Sequence, residues 1–120
     1  MNLTADAVVV GAGVIGSSIA LELARDGLSV VVVDAGGAPG HGSTSASSAV
    51  IRFNYSTWDG IATSWEAKHC WEKWADHLGG IDDEGMARFH RVGMVFLDVD
   101  IAPMGHVLEH FDTIGIPYEL

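Results

Sequence analysis

One cysteine, Cys70, is the only thiol in this chain, so no internal disulfide can form and no cysteine cluster can hold a metal. A reducing compartment, the cytoplasm, is the expected location. Positive charge is also scarce. Six Lys+Arg stand against sixteen Asp+Glu, and the formal charge of −10 repels phosphate backbones and anionic headgroups, so neither nucleic acid nor a membrane surface is an expected partner. Long apolar runs are missing too. Ala7 to Leu21 comes nearest, but glycines interrupt it, no Lys or Arg precedes it, and Glu22, Arg25 and Asp26 follow at once. Neither a signal peptide nor a membrane span fits that pattern. With 120 residues, 48% of them apolar and 18% charged, the composition is that of one modest folded α/β piece.

The apolar run reads better as strand, turn and helix. Val8, Val9 and Val10 are β-branched and continuous, as in a parallel strand covered on both faces, and lead into Gly11-Ala12-Gly13-Val14-Ile15-Gly16. Ile15, Ile19 and Leu23 then share one helical row, with small Gly16 and Ala20 beside it for close packing on a sheet. Asp26-Gly27 predicts the helix end, and a second valine strand, Val30 to Val33, stops at Asp34. This is GxGxxG in the context that gives it meaning. Gly11 allows the tight turn, Gly13 a close backbone approach to a pyrophosphate, and Gly16 tight helix packing, while free N–H groups of Val14, Ile15 and Gly16 face the phosphates. Asp34 is expected to accept hydrogen bonds from the adenosine ribose hydroxyls and to repel a 2′-phosphate, which favours NAD or FAD over NADP.

After Asp34 the chain departs from a nicotinamide-binding half. Residues 35–48 are Gly, Ala, Ser, Thr, Pro and His without helical period, followed by Ala49-Val50-Ile51-Arg52-Phe53-Asn54-Tyr55-Ser56. The stretches VVVGAGVIGSS, ELARDG and VVVVDA, and more narrowly GSTSASSAVIRFNYS, resemble the sarcosine oxidase and dimethylglycine dehydrogenase branch of the D-amino-acid oxidase family of FAD enzymes. The resemblance extends over the whole chain, through an aromatic-rich helix, an RVGMVFLDV strand and a helix closing with IGIPYEL.

That resemblance implies FAD as cofactor and an amine or amino acid as small-molecule substrate. Residues 1–85 are expected to form the N-terminal part of a Rossmann-like FAD-binding domain, and residues 86–120 to enter an α+β substrate domain, both incomplete. Members of the family are several times longer, and no second glycine motif for the flavin end occurs here, so the chain is either a fragment or a short protein without the catalytic half. In the first case the rest of the enzyme or other subunits complete it. Ala35, beside Asp34, joins the cofactor-binding set, and Ser43, Thr44 and Ser45, with Ser48 more weakly placed, lie where hydroxyls would meet the pyrophosphate and ribityl chain. Arg52 resembles the arginine that binds a substrate carboxylate, for which a planar five-donor fork is matched. Read from the residues alone, it sits in an apolar neighbourhood and needs an anion, which an internal acid could also supply. Some relatives carry histidine where Ser45 stands and arginine where Ala49 stands, so their flavin-side electrostatics do not transfer.

Four tryptophans could suggest an aromatic cage, but Ala67, Trp71, Trp74 and Leu78 form a helical stripe that predicts core packing. Trp58, Ile61 and Trp65 project elsewhere, Gly60 marks a break, Gly79-Gly80 ends the helix, and Asp82-Asp83-Glu84 is a solvated linker. His106 and His110 are two potential ligands, which is too few for a site, on a helix whose buried face is Met104, Val107, Leu108, Phe111 and Ile114. Pro103 suits its first turn, and Gly115 with Pro117 ends it. The function expected is FAD-dependent amine or amino-acid oxidation. A non-catalytic dinucleotide-binding or assembly module and an NAD-linked dehydrogenase are the alternatives.

Overall fold

The computed structural model describes residues 4–83, 85–97, 99 and 104–120. The chain divides into two compact units, one up to Val50 and one from Ile51. In the first unit, β1 (Ala7–Val10) and β2 (Val30–Val33) pair in parallel with Ala7 opposite Val30 and Val10 opposite Val33, joined by α1 (Val14–Arg25). Valines at almost every strand position hold the backbone extended, and a parallel pair requires such a crossover. The α/β expectation is met.

The end of α1 follows its sequence signals. Gly27 adopts φ +86°, its N–H donates to Ala24 O, and the Leu28 N–H reaches back to Leu23 O. Arg25, in the last turn, pairs with Glu22. Coverage of the strands differs from the expectation: Val8 and Val10 are 61% and 83% exposed. Val9 is the β1 residue that meets α1, its Cγ1 lying 3.4 Å from where a Cβ on Gly16 would stand. Since side chains alternate along a strand, Val8 and Val10 point away from α1. At the start of the pair, Asp6 clasps the two strands: the Ser29 N–H donates to Asp6 Oδ2 at 2.8 Å, and the Asp6 N–H donates to Ser29 O at 2.9 Å.

The second unit contains α2 (Trp58–Glu72), α3 (Trp74–Leu78) and α4 (Gly105–Ile114). Gly60 does not break α2. It occupies the first turn, where its N–H donates to the Thr57 hydroxyl that caps the helix at 3.3 Å. The interruption comes at Lys73 (φ −124°, ψ 49°), which separates α2 from α3. As a result the predicted tryptophan stripe is not the core. Trp71 and Trp74 stack face to face, 4.9 Å apart and 7° from parallel, and line a groove of about 580 Å³ with Met86, Phe89 and Arg91.

The core is Ile61, Val107, Phe111 and Ile116, with Phe53, Trp65, Met104, Leu108 and Ile114 packed against it. The inward row of α2 runs Ile61, Trp65, Lys68. Lys68 lies with its ammonium 4.3 Å from the centroid of the Trp65 ring and 3.3 Å from both carboxylate oxygens of Glu72. A row that ends in a lysine has a weak apolar signature, which is why apolar periodicity points to the Trp71 face instead. The Gly115 and Ile116 N–H groups both donate to Phe111 O, and Gly115 at φ +84° turns Ile116 back into the core. The α4 face is as predicted; Pro103 lies outside the described residues, as does Glu84. Beyond α4, the Tyr118 hydroxyl donates to Asp112 at 3.1 Å, a bond that raises the phenol's pKa.

The expected RVGMVFLDV strand does not form over residues 91–97, where Val92 and Val95 are almost fully exposed. Strand geometry needs a neighbour's ladder of hydrogen bonds, and among the described residues none runs beside this segment.

Candidate cofactor-binding site

The site is assembled at the carboxyl end of the β1–β2 pair. Gly11 continues the strand pairing, its N–H donating to Val33 O at 2.7 Å, and then turns at φ +103°, a left-handed value that strains any side-chain-bearing residue. Gly16 faces the same turn. A Cβ built on it would stand 1.9 Å from Gly11 O, so only glycine lets α1 start this close to the strand. Gly13 is the residue before α1, and a Cβ there would be 3.0 Å from Thr44 Oγ1.

That threonine hydroxyl corrects one expectation. The Val14 N–H is not free: it donates to Thr44 Oγ1 at 3.0 Å, so a side chain 30 residues away caps the helix. The Ile15 and Gly16 N–H groups have no acceptor among the described residues, while the Ser17 N–H donates to Gly13 O. Two open donors and the positive end of the helix dipole make this turn receptive to an anion.

Asp34 closes the other side. Its Oδ2 accepts from the Ala12 N–H and its Oδ1 from the Gly36 N–H, each at 2.6 Å. These bonds, Ala12's foremost, hold the carboxyl below its ordinary value near 3.8, against desolvation and with slight help from His41. Asp34 therefore organises the turn directly, in addition to lining a groove of about 390 Å³ with Ala12, Ser17, Val32, Gly36 and Ala38. Each carboxylate oxygen keeps a second lone-pair site.

The hydroxyl loop wraps onto the same turn. The Gly40 N–H donates to Ala12 O at 2.8 Å, and Ser45 ties itself to Gly40 O through both its N–H and its hydroxyl. Ser43 and Ser48 are exposed, without side-chain hydrogen bonds among the described residues, and Ala35 is exposed in the bend after Asp34. Gly11, Gly13, Val14, Ile15, Gly16, Asp34, Ala35, Ser43, Thr44, Ser45 and Ser48 thus all belong to the first unit. The anchoring roles of Ala12 and Gly40 escaped sequence reading, since both act through backbone groups that any residue possesses.

Arg52 belongs to the second unit. It is exposed rather than enclosed by apolar neighbours, makes no ion pair with an acid among the described residues, and rests 5.2 Å from the centroid of the Tyr55 ring. No group of three or more His, Cys, Asp or Glu among the described residues is arranged to hold a metal, and none of the described helices is long and apolar enough to cross a membrane.

A family model described as DAO, FAD dependent oxidoreductase, matches residues 6–117. No curated protein matches the chain, and no solved structure does.

Proposed function

This chain belongs to the DAO family of FAD dependent oxidoreductases, and from that premise we propose that it forms the adenosine-diphosphate-binding part of a flavoenzyme that oxidises a secondary or tertiary amine, or an amino acid, at the carbon next to nitrogen. The observation that carries the cofactor half is that one glycine turn leads both to the open N–H groups at the start of α1 and, through Ala12, to the groove along Asp34. The residues fit the group. Ile15 and Gly16 would donate to the diphosphate, Gly11 and Gly13 keep side chains out of its path, and Asp34 has lone pairs left for the ribose hydroxyls. Thr44 would exchange its bond to Val14 for one to a phosphate oxygen, with Ala35, Ser43, Ser45 and Ser48 around it.

When bound, FAD supplies the redox chemistry, taking a hydride equivalent from the substrate carbon and leaving an imine for water to hydrolyse. The amino-acid half of the reading is supported by Arg52, an exposed cation whose planar fork matches a carboxylate. A substrate domain, contributed by a longer enzyme or by other subunits, would enclose the small molecule, and the cytoplasm is the proposed compartment.

Equilibrium dialysis of the intact protein against FAD tests the cofactor assignment. Asp34→Ala is expected to weaken FAD about tenfold or more through loss of charge-assisted bonds at the adenosine end. Unchanged affinity overturns the role of Asp34. Anaerobic bleaching of the flavin by a panel of N-methyl amino acids and simple amines tests the substrate class, and a panel that leaves the flavin oxidised throughout overturns it.

A further inference from the structure

We infer that Tyr55 is a positioning residue for Arg52: its ring, seated against the bare Cα of Gly60, holds the guanidinium outward as a receptor for a carboxylate. This rests on the amine or amino-acid reading above and adds to it a second residue and the reason for a glycine.

The short segment that carries both side chains is sorted by packing. The Tyr55 N–H donates to Phe53 O at 2.9 Å, a tight local turn. Phe53 meets the core edge-on, its ring 5.0 Å from Trp65 and 86° from parallel. With Phe53 turned inward, Arg52 and Tyr55 are left together on the exposed side, where the guanidinium carbon lies 5.2 Å from the ring centroid. That separation is within the range of cation–π attraction.

Tyr55 is itself held. A Cβ built on Gly60 would stand 3.1 Å from Tyr55 Cβ and 3.4 Å from its Cγ, closer than a methyl group is accommodated without displacement. Gly60 cannot retreat, because its N–H is bonded to the Thr57 cap in the first turn of α2. The glycine thus gives Tyr55 a seat on a helix, and Tyr55 gives Arg52 a surface. Arginine carries many rotamers in free solution, and a ring that restricts them before binding leaves less ordering to be done when a ligand arrives. Cation–π attraction acts on the face of a guanidinium, whereas its N–H donors lie in the plane and stay available for a bidentate carboxylate. Among the described residues no acid competes for them.

Ligand-observed NMR titrations of the intact protein with acetate and with its neutral counterpart acetamide test the inference. Tyr55→Leu is expected to weaken acetate by about three- to fivefold, the scale of an exposed cation–π contact, and to leave acetamide unchanged. Tyr55→Phe restores the parent's preference for acetate, since the ring and not the hydroxyl is used. Gly60→Ala, which displaces the ring without removing it, weakens acetate in the same direction and decides the matter if Tyr55→Leu does not fold. Loss of acetate in Arg52→Ala, together with parental affinity in Tyr55→Leu or Gly60→Ala, overturns the positioning role while leaving the carboxylate reading intact. Tyr55→Phe as weak as Tyr55→Leu also overturns it. Parental acetate binding in Arg52→Ala, or none in the parent, overturns the carboxylate reading itself.

Discussion

Asp34 has two duties at one carboxylate, a structural one toward Ala12 and Gly36 and a proposed one toward a ribose. The structural duty carries a pH signature. Because the folded pKa lies below the ordinary value near 3.8, the stabilisation is fully present above that value and is lost as pH falls through the lowered one. Asp34→Asn keeps the shape but cannot accept both N–H bonds. Urea unfolding followed by far-UV circular dichroism should find the variant weaker by a constant amount between pH 7 and pH 5, with the gap closing below about pH 4. A gap independent of pH down to strong acid would detach Asp34 from the turn. Sequence reading located this residue through its place at the strand end, yet missed the bonds to Ala12 and Gly36. It likewise grouped Thr44 with other loop hydroxyls. Nothing in a Gly-Ser-Thr loop announces which hydroxyl reaches a helix 30 residues back.

Among the elements, α1 was legible almost to the residue and α2 was not, and the difference is physical. The limits of α1 are marked by glycines that the sequence prints directly, Gly13 just before its start and Gly27, at φ +86°, just past its end. The inward face of α2 depends on Lys68 folding over Trp65 toward Glu72, a choice made by side-chain geometry that an apolar periodicity does not register. The interruption at Lys73 has no glycine or proline to mark it. The glycine logic of α1 gives a sharp expectation. Gly16→Ala places a methyl 1.9 Å from a carbonyl oxygen that belongs to the strand end, so neither side can yield without disturbing the turn. The loss should be about 3 kcal/mol, with earlier melting by circular dichroism. A variant that melts with the parent would mean that α1 starts elsewhere.

At the scale of the molecule, two units are built on different principles. The first is held largely by backbone hydrogen bonds around a two-stranded sheet, the second by a small apolar core. All four tryptophans lie beyond residue 50, so their fluorescence reports on the second unit. Phe111→Ala empties the largest side chain in that core and should cost about 3–5 kcal/mol, read as a lower fluorescence midpoint in urea. An unmoved midpoint would place the core elsewhere. The fold class was legible because strand, glycine turn, helix and strand are contiguous. Segments such as 91–97 were not, because their structure is set by whatever strand runs beside them.

Asp6 and Asp34 grip the same parallel pair from opposite ends, each accepting a backbone N–H more than 20 positions away in the chain. That double grip limits how the chain can lengthen over evolutionary time. One extra residue inside β1 or β2 would carry one aspartate out of reach of its N–H and turn the valines beyond the insertion to the opposite face. Insertions and deletions in descendants of this sequence should therefore be excluded from both strands, and tolerated first where neither aspartate nor its partner is shifted.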